Sequence, residues 1–499
     1  MQTPDIGSVE RTVKTGISGL DDVLRGGFPV HGMYLVEGQP GTGKTTLALQ
    51  FLLEGQRLGE RGLYVTLSET REELLEVACS HGWSLDGIDL YELESAESRL
   101  KPEEDYTVFH PEEVELVETV KHVFDTVERT NPTRAVFDSL SEMRLLARDP
   151  LRFRRQILSI KQFFKGRGCT VLLLDDKIAQ ESDLQLQSIA HGVLSLERIS
   201  REYGGFRRRL QVVKLRGAIF REGYHDFGIQ TGGIRVFPGL IAAEHRGPHN
   251  RAVLPSGIAE LDRLLGSGLY HGTSALIMGP PGTGKSTLAG SYLRAIAEQH
   301  KRGIAYVFEE TRQTFLDRMA GMRVDLQASM DAGLVELRQL DGAELSPGEF
   351  AATLRDDVEK RGTELVIIDS LNGYLKTARD ERLLLLQLQE LLKYLAERGV
   401  LTILVIAQQG TLGVMLSPLD VSYISDTVIL LRLFEINGAV KKAISVGKHR
   451  KGSHEETIRE FQLTAEGVRI GKVLRQFRGI LTGFPEYKGP GEDILDQAQ

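Results

Sequence analysis

Two stretches of this chain have the residue types and spacing of a phosphate cradle. Gly38-Gln39-Pro40-Gly41-Thr42-Gly43-Lys44-Thr45-Thr46 and Gly279-Pro280-Pro281-Gly282-Thr283-Gly284-Lys285-Ser286-Thr287 both follow G-x-x-x-x-G-K-[ST]. In such a loop the glycines let backbone N–H groups converge on phosphate oxygens at a helix N-terminus. The lysine then reaches the β- and γ-phosphates, and the Thr45 or Ser286 hydroxyl joins a Mg²⁺ shell. ATP with Mg²⁺ is therefore the expected cofactor, held by Gly38, Gly41, Thr42, Gly43, Lys44, Thr45 and Thr46 and by Gly279, Gly282, Thr283, Gly284, Lys285, Ser286 and Thr287. Asp138 and Asp369 each close an apolar run and are followed by serine. A carboxylate there either caps a helix or, at the carboxyl edge of a sheet beside a P-loop, holds Mg²⁺ through water. Two matching P-loops favour the metal role. A third feature is Phe308-Glu309-Glu310-Thr311, matched earlier by Leu67-Ser68-Glu69-Thr70. Carboxylates near a γ-phosphate orient water or take a proton from a hydroxyl, so Glu69, Glu309 and Glu310 are the catalytic candidates. Side chains alternate along a strand, so one member of the Glu309–Glu310 pair is expected to face the phosphate.

The elements that must position these groups recur as well. Thr15-Gly16-Ile17-Ser18-Gly19-Leu20-Asp21 returns as Ser256-Gly257-Ile258-Ala259-Glu260-Leu261-Asp262, and VFDSL returns as IIDSL. Repeats this long are complete domains, expected at 1–245 and 246–499, with the polar AAEHRGPHNR stretch between them. In each, short apolar runs (Met33–Glu37, Gly62–Leu67, Ala135–Phe137 and Cys169–Leu174; Ala275–Met278, Ile304–Phe308, Leu365–Ile368 and Leu401–Ile406) alternate with helical patterns. Fully apolar strands separated by helices predict an α/β fold with a mostly parallel central sheet covered on both faces.

Composition narrows the function. Over 499 residues, 61 Lys and Arg against 69 Asp and Glu give a net charge of −8, which argues against a dedicated nucleic-acid binder. The basic run Arg207-Arg208-Arg209 reads as a solvated edge. Two cysteines, Cys79 and Cys169, build neither a disulfide framework nor a zinc site and fit a cytoplasmic protein. The first residues lack a signal-peptide pattern, and no apolar run is long enough to span a membrane.

The double order of P-loop, acidic strand end, DSL aspartate and Lys-x-Arg, with TGISGLDDVLRGGFP, VKLRG and SDTVILL, resembles the KaiC family of RecA/DnaB-like ATPases. The resemblance implies two tandem RecA-like P-loop domains in a double-ring homohexamer. It implies that Lys214, Arg216, Lys448 and Arg450 act in trans on a neighbour's nucleotide. It further implies an autokinase in the second domain, with Glu309 as base and hydroxyl acceptors shortly before SDTVILL, here Ser417 and Ser422, with Tyr423 in a third slot. Clock members bind the activator KaiA through a longer tail, so KaiA-type control is not expected here, whereas a KaiB-like or other signalling partner remains compatible. A RecA-, DnaB- or RadA-like DNA motor, and a nucleotide-gated scaffold suggested by Ser68, are the rival readings.

Overall fold

The computed structural model describes residues 12–92, 111–147, 149–177, 183–200, 204–245, 247, 252–375, 381–408, 421–436, 438–481 and 486–487. The chain divides into two compact units, Met1–Gly239 and Leu240–Gln499.

The first unit is built on strands β1 (Met33–Gly38), β2 (Gly62–Thr66), β3 (Ile88–Glu92), β4 (Arg134–Asp138), β5 (Thr170–Asp176), β6 (Gly192–Ile199), β7 (Arg207–Leu215), β8 (Tyr224–Gln230) and β9 (Gly233–Phe237). Across the sheet the order is β9-β8-β7-β6-β1-β5-β4-β2-β3. The strands from β6 to β3 pair in parallel, and β7, β8 and β9 extend the sheet antiparallel. The second unit repeats this with β10 (Ser274–Gly279), β11 (Arg302–Val307), β12 (Val335–Gln339), β13 (Thr363–Asp369), β14 (Leu401–Ala407), β15 (Thr427–Ile436), β16 (Ala439–His449), β17 (Arg459–Thr464) and β18 (Gly467–Val473). Its order, β12-β11-β13-β14-β10-β15-β16-β17-β18, is the first read from the other edge. Both units are α/β, as the apolar strand runs predict.

The central strands are buried almost throughout because helices cover both faces, so their alternate residues feed two cores. In the first unit Tyr34 and Val36 join a core with Leu47, Phe51 and Leu172, while Met33 and Leu35 join another with Phe137, Ile157 and Leu173. The second unit divides likewise, with Ile277 and Leu276 on opposite faces.

The repeated entry motif is a turn closed by its aspartate. Asp21 Oδ1 accepts from the Thr15 N–H at 2.8 Å and the Thr15 hydroxyl at 2.9 Å, and Asp262 Oδ1 accepts from the Ser256 N–H at 2.7 Å. This turn leads into the strand that carries each P-loop, so its recurrence serves architecture. After β1 and β10 the chain turns into helices α1 (Lys44–Arg57) and α2 (Lys285–Glu298). Gly43 and Gly284 begin them at φ 102° and 100°, a left-handed conformation natural to glycine. A Cβ on either would lie 2.6 Å from Ile229 or 2.7 Å from Leu463, so the antiparallel strands leave room there for glycine alone.

Candidate nucleotide sites

Both P-loops stand where the order of the parallel strands reverses direction, beside the carboxyl ends of β1 and β10, the place in a doubly wound sheet where ligands bind. In the first unit Thr45 donates to Asp138 Oδ2 at 3.0 Å, and the Tyr64 hydroxyl donates to the same oxygen at 2.5 Å. In the second, Ser286 lies close enough to Asp369 to favour its charged form. The P-loop hydroxyls and the strand-end aspartates, 93 residues apart in the first unit, therefore meet in both. The peptide bond that follows each aspartate is cis.

Burial governs the electrostatics. It pushes the Asp369 carboxyl up to about 6, with Glu310 adding to the rise and Ser286 and Lys285 opposing it. Burial raises Asp138 too, against the hydrogen bonds from Tyr64 and Thr45. Lys285 is pulled down to about 8 by the same desolvation, which Asp369 and Glu309 partly offset. Asp369 Oδ2 is buried with no hydrogen-bond partner. An orphaned carboxylate oxygen beside a serine hydroxyl fits Mg²⁺, which takes one or two protein oxygens and completes its shell with phosphates and water. Among the described residues no three His, Cys, Asp or Glu side chains form a self-sufficient metal site.

The acidic strand ends differ between units. Glu309 and Glu310 lie in a bend just past β11, so strict strand alternation does not govern them. They nevertheless part ways. Glu309 accepts from the Ser370 hydroxyl at 2.6 Å, whereas Glu310 is held by Arg318 at 2.5 and 2.7 Å. In the first unit Glu69 is the counterpart of Glu310, and Val77 stands where Arg318 would be. Glu69 Oε2 is buried and unpartnered, and burial, together with Asp138 and Glu73, pushes its pKa up to about 7.

The Lys-x-Arg segments lie at the opposite, amino-terminal edge of the sheets. Lys448 donates to the carbonyls of Ser422 at 2.8 Å and Ser425 at 2.7 Å, and Arg450 donates to that of Tyr423 at 3.0 Å. Arg450 also has a local acidic neighbour, Asp426 at 3.5 Å. In the first unit Arg216 donates to the Ser188 carbonyl at 2.8 Å. There His191 stands where the second unit has Asp426, each accepting the N–H of the first residue of the central strand. Lys214 is lowered by burial and by Arg216 and Lys161. Ser422 is half-buried and Tyr423 exposed, while Ser417 lies outside the described residues. Gln187, the counterpart of Ser422, donates to Glu37 at 3.0 and 3.2 Å. Of the basic run, Arg207 is paired with Asp226 and Arg209 with Glu197, at 2.9 and 2.7 Å. The sheet's own carboxylates thus neutralise two of the three arginines. No helix among the described residues is long and apolar enough to cross a membrane.

A family model described as ATPase: KaiC matches residues 13–240 and again 254–475. The chain belongs to the KaiC ATPase family. Among its relatives is circadian clock protein KaiC3 of Synechocystis sp. (strain ATCC 27184 / PCC 6803 / Kazusa), 26% identical over 491 residues, covering 96% of this chain and 95% of the relative. The circadian clock oscillator protein KaiC of Synechococcus elongatus (strain ATCC 33912 / PCC 7942 / FACHB-805) is 26% identical over 97% of this chain and 94% of its own. That of Parathermosynechococcus lividus is 28% identical over 95% of this chain and 87% of its own. KaiC membership accounts for the tandem P-loops and the duplicated sheet order. Sequence reasoning missed Arg318, Tyr64 and Asp176. The first follows Glu310 by eight residues at the next helix and was open to detection; the others reach the site only through the folded sheet.

Proposed function

We propose that this KaiC-family ATPase assembles as a nucleotide-dependent homohexamer, hydrolyses ATP in both domains, and phosphorylates itself on serine in the second. The observation that carries the reading is the difference between the two acidic strand ends. Glu309 sits with Asp369 around the desolvated Lys285 and accepts from the Ser370 hydroxyl, which places a carboxylate beside the P-loop lysine, where it can take a proton. The first unit has Ser68 in that place and retains Glu69. Glu69 suits hydrolysis, because a half-buried carboxylate near neutrality can orient and polarise water.

Within each site the chain's own groups divide the work. The P-loop N–H groups and Lys44 or Lys285 bind and orient the phosphates. Thr45 with Asp138, and Ser286 with Asp369, would hold Mg²⁺, which when bound neutralises phosphate charge. Glu309 takes the proton of the acceptor hydroxyl. Ser422 is the preferred acceptor, since the aromatic ring of Tyr423 carries its hydroxyl farther from the backbone. Lys448 and Arg450, with Lys214 and Arg216 in the first domain, would supply positive charge to the neighbouring subunit's site, where phosphoryl transfer gains most from electrostatics.

The test is phosphopeptide mapping after incubation with Mg-ATP, comparing the parent with Ser422→Ala and Glu309→Gln. Label confined to the second domain and lost in both variants is the expected result. Label on the first domain, or undiminished label in both variants, would defeat the autokinase; label moved to Ser417 would keep the kinase and change its acceptor.

A further inference from the structure

The two P-loop lysines have different company. Lys285 Nζ donates to the Pro280 carbonyl at 2.8 Å. Lys44 Nζ donates to the carbonyls of Gly38 at 3.0 Å and Gln39 at 3.3 Å, and also to Asp176 Oδ1 at 2.8 Å. Asp176 is the last residue of β5, in register with Gly38, so its carboxylate stands at the mouth of the P-loop. The residue in that register in the second unit is Ala407, opposite Gly279. The neighbouring Asp175 is neutralised by Arg144 at 2.5 Å, whereas among the described residues the cation on Asp176 is Lys44. The Ser141 hydroxyl lies 3.2 Å from Asp175 Oδ1 and 3.3 Å from Asp176 Oδ2 and accepts the Asp176 N–H, which ties this residue to the helix that follows β4. With side-chain exposures of 9% for Lys44 and 31% for Asp176, the pair is sheltered enough for its attraction to matter.

We propose that Asp176 is an internal competitor for the phosphate-binding lysine of the first domain and lowers that domain's affinity for ATP. The inference rests on the reading that ATP occupies this P-loop. To bind phosphate, Lys44 must leave Asp176, so the apparent affinity falls by the fraction of molecules in which the lysine is disengaged. Once nucleotide is present, the Asp176 carboxylate faces a polyphosphate of like charge, which acts in the same direction. In the second domain Ala407 holds that register, and among the described residues the hydrogen-bond acceptor of Lys285 is the Pro280 carbonyl. Asp176 thus sets the two sites apart in their hold on the P-loop lysine.

The experiment uses the full chain carrying Lys285→Ala to silence the second P-loop. Energy transfer from Trp83, the sole tryptophan, to N-methylanthraniloyl ATP with Mg²⁺ reports binding in the first domain. Asp176→Ala, and Asp176→Asn as the variant that preserves volume, are expected to bind about three- to tenfold tighter, the scale of a partly exposed ion pair and its competent fraction. Unchanged affinity in both would overturn the proposal. Weaker binding in both would also overturn it, making Asp176 a group that supports nucleotide. Lys44→Ala on the same background separates the two readings. Lost binding upholds this P-loop as the site, and retained binding would defeat that reading whatever Asp176 does.

Discussion

Arg318 grips Glu310 through two hydrogen bonds of 2.5 and 2.7 Å, while the adjacent Glu309 rests on the Ser370 hydroxyl. A carboxylate paired bidentately with a guanidinium has both oxygens occupied and is poorly placed to take a proton. Glu309→Gln is therefore expected to reduce phosphoryl transfer in the second domain by about a hundredfold or more, the usual worth of a positioned general base. Glu310→Gln should cost far less. Single-turnover assays with Lys44→Ala silencing the first domain make the comparison, and equal losses would show that the Arg318 pair does not separate the two roles.

Glu69 gives the first domain a distinctive pH response. Burial and the charges of Asp138 and Glu73 lift its pKa from 4.5 to about 7. The proposed water-orienting role needs the ionised form, so hydrolysis in a Lys285→Ala chain should climb between about pH 6 and pH 8. Glu69→Gln should flatten this rise while leaving ATP binding intact. Stability runs the opposite way. A folded-state pKa above the unfolded value means that the folded chain holds the proton more tightly, so this contribution is full below about pH 4.5 and is lost as pH rises through 7. Paired pH profiles of hydrolysis and of thermal unfolding check both signs.

The sequence displays what lies along one element. P-loop glycines, apolar strand runs and aspartates at strand ends recur in the same order, so the duplicated α/β architecture and the meeting of Thr45 with Asp138 were legible. Contacts set by strand order were not. Lys44 and Asp176 are 132 residues apart, and only the placement of β5 beside β1 brings them together. The same holds for Lys448 and the Ser422 carbonyl, joined by an antiparallel crossing of β15 and β16. Local spacing also concealed that Arg450 has Asp426 as a neighbour, because the two face each other across that ladder.

Arg134 supplies a stability test away from catalysis. It is 1% exposed at the start of β4, donating to Glu60 at 2.5 Å and to the carbonyls of Lys14 and Phe51 at 2.8 and 2.7 Å. Its guanidinium also lies 4.7 Å from the centre of the Phe51 ring. Arg134→Ala leaves these acceptors unsatisfied and opens a cavity, so a loss of about 3–5 kcal/mol is expected. Denaturant unfolding should show the midpoint fall for the first unit, and Arg134→Lys should recover only part of it, since an ammonium cannot span the same fork of acceptors.

Lys448 bears on both the proposed assembly and the proposed acceptor, Ser422. Its ammonium holds the carbonyls of Ser422 and Ser425 while Arg450 holds that of Tyr423, so two cations hold three carbonyls of the turn that carries Ser422. Under the proposed trans arrangement these cations also serve the neighbouring subunit's phosphates, and a ligand shared by two subunits drives assembly by mass action. Lys448→Met keeps the length of the stem and removes every donor. Two losses should follow together: nucleotide-dependent hexamers measured by light scattering should decline, and phosphate on Ser422 should drop by at least about tenfold, in keeping with the large share of phosphoryl-transfer catalysis carried by such cations. ATP affinity of the unassembled second domain should stay unchanged, because Lys448 is remote from its own P-loop at the other edge of the sheet. A variant that assembles and labels Ser422 like the parent would remove Lys448 from the mechanism. Hexamers with lost labelling would confine it to holding the acceptor turn.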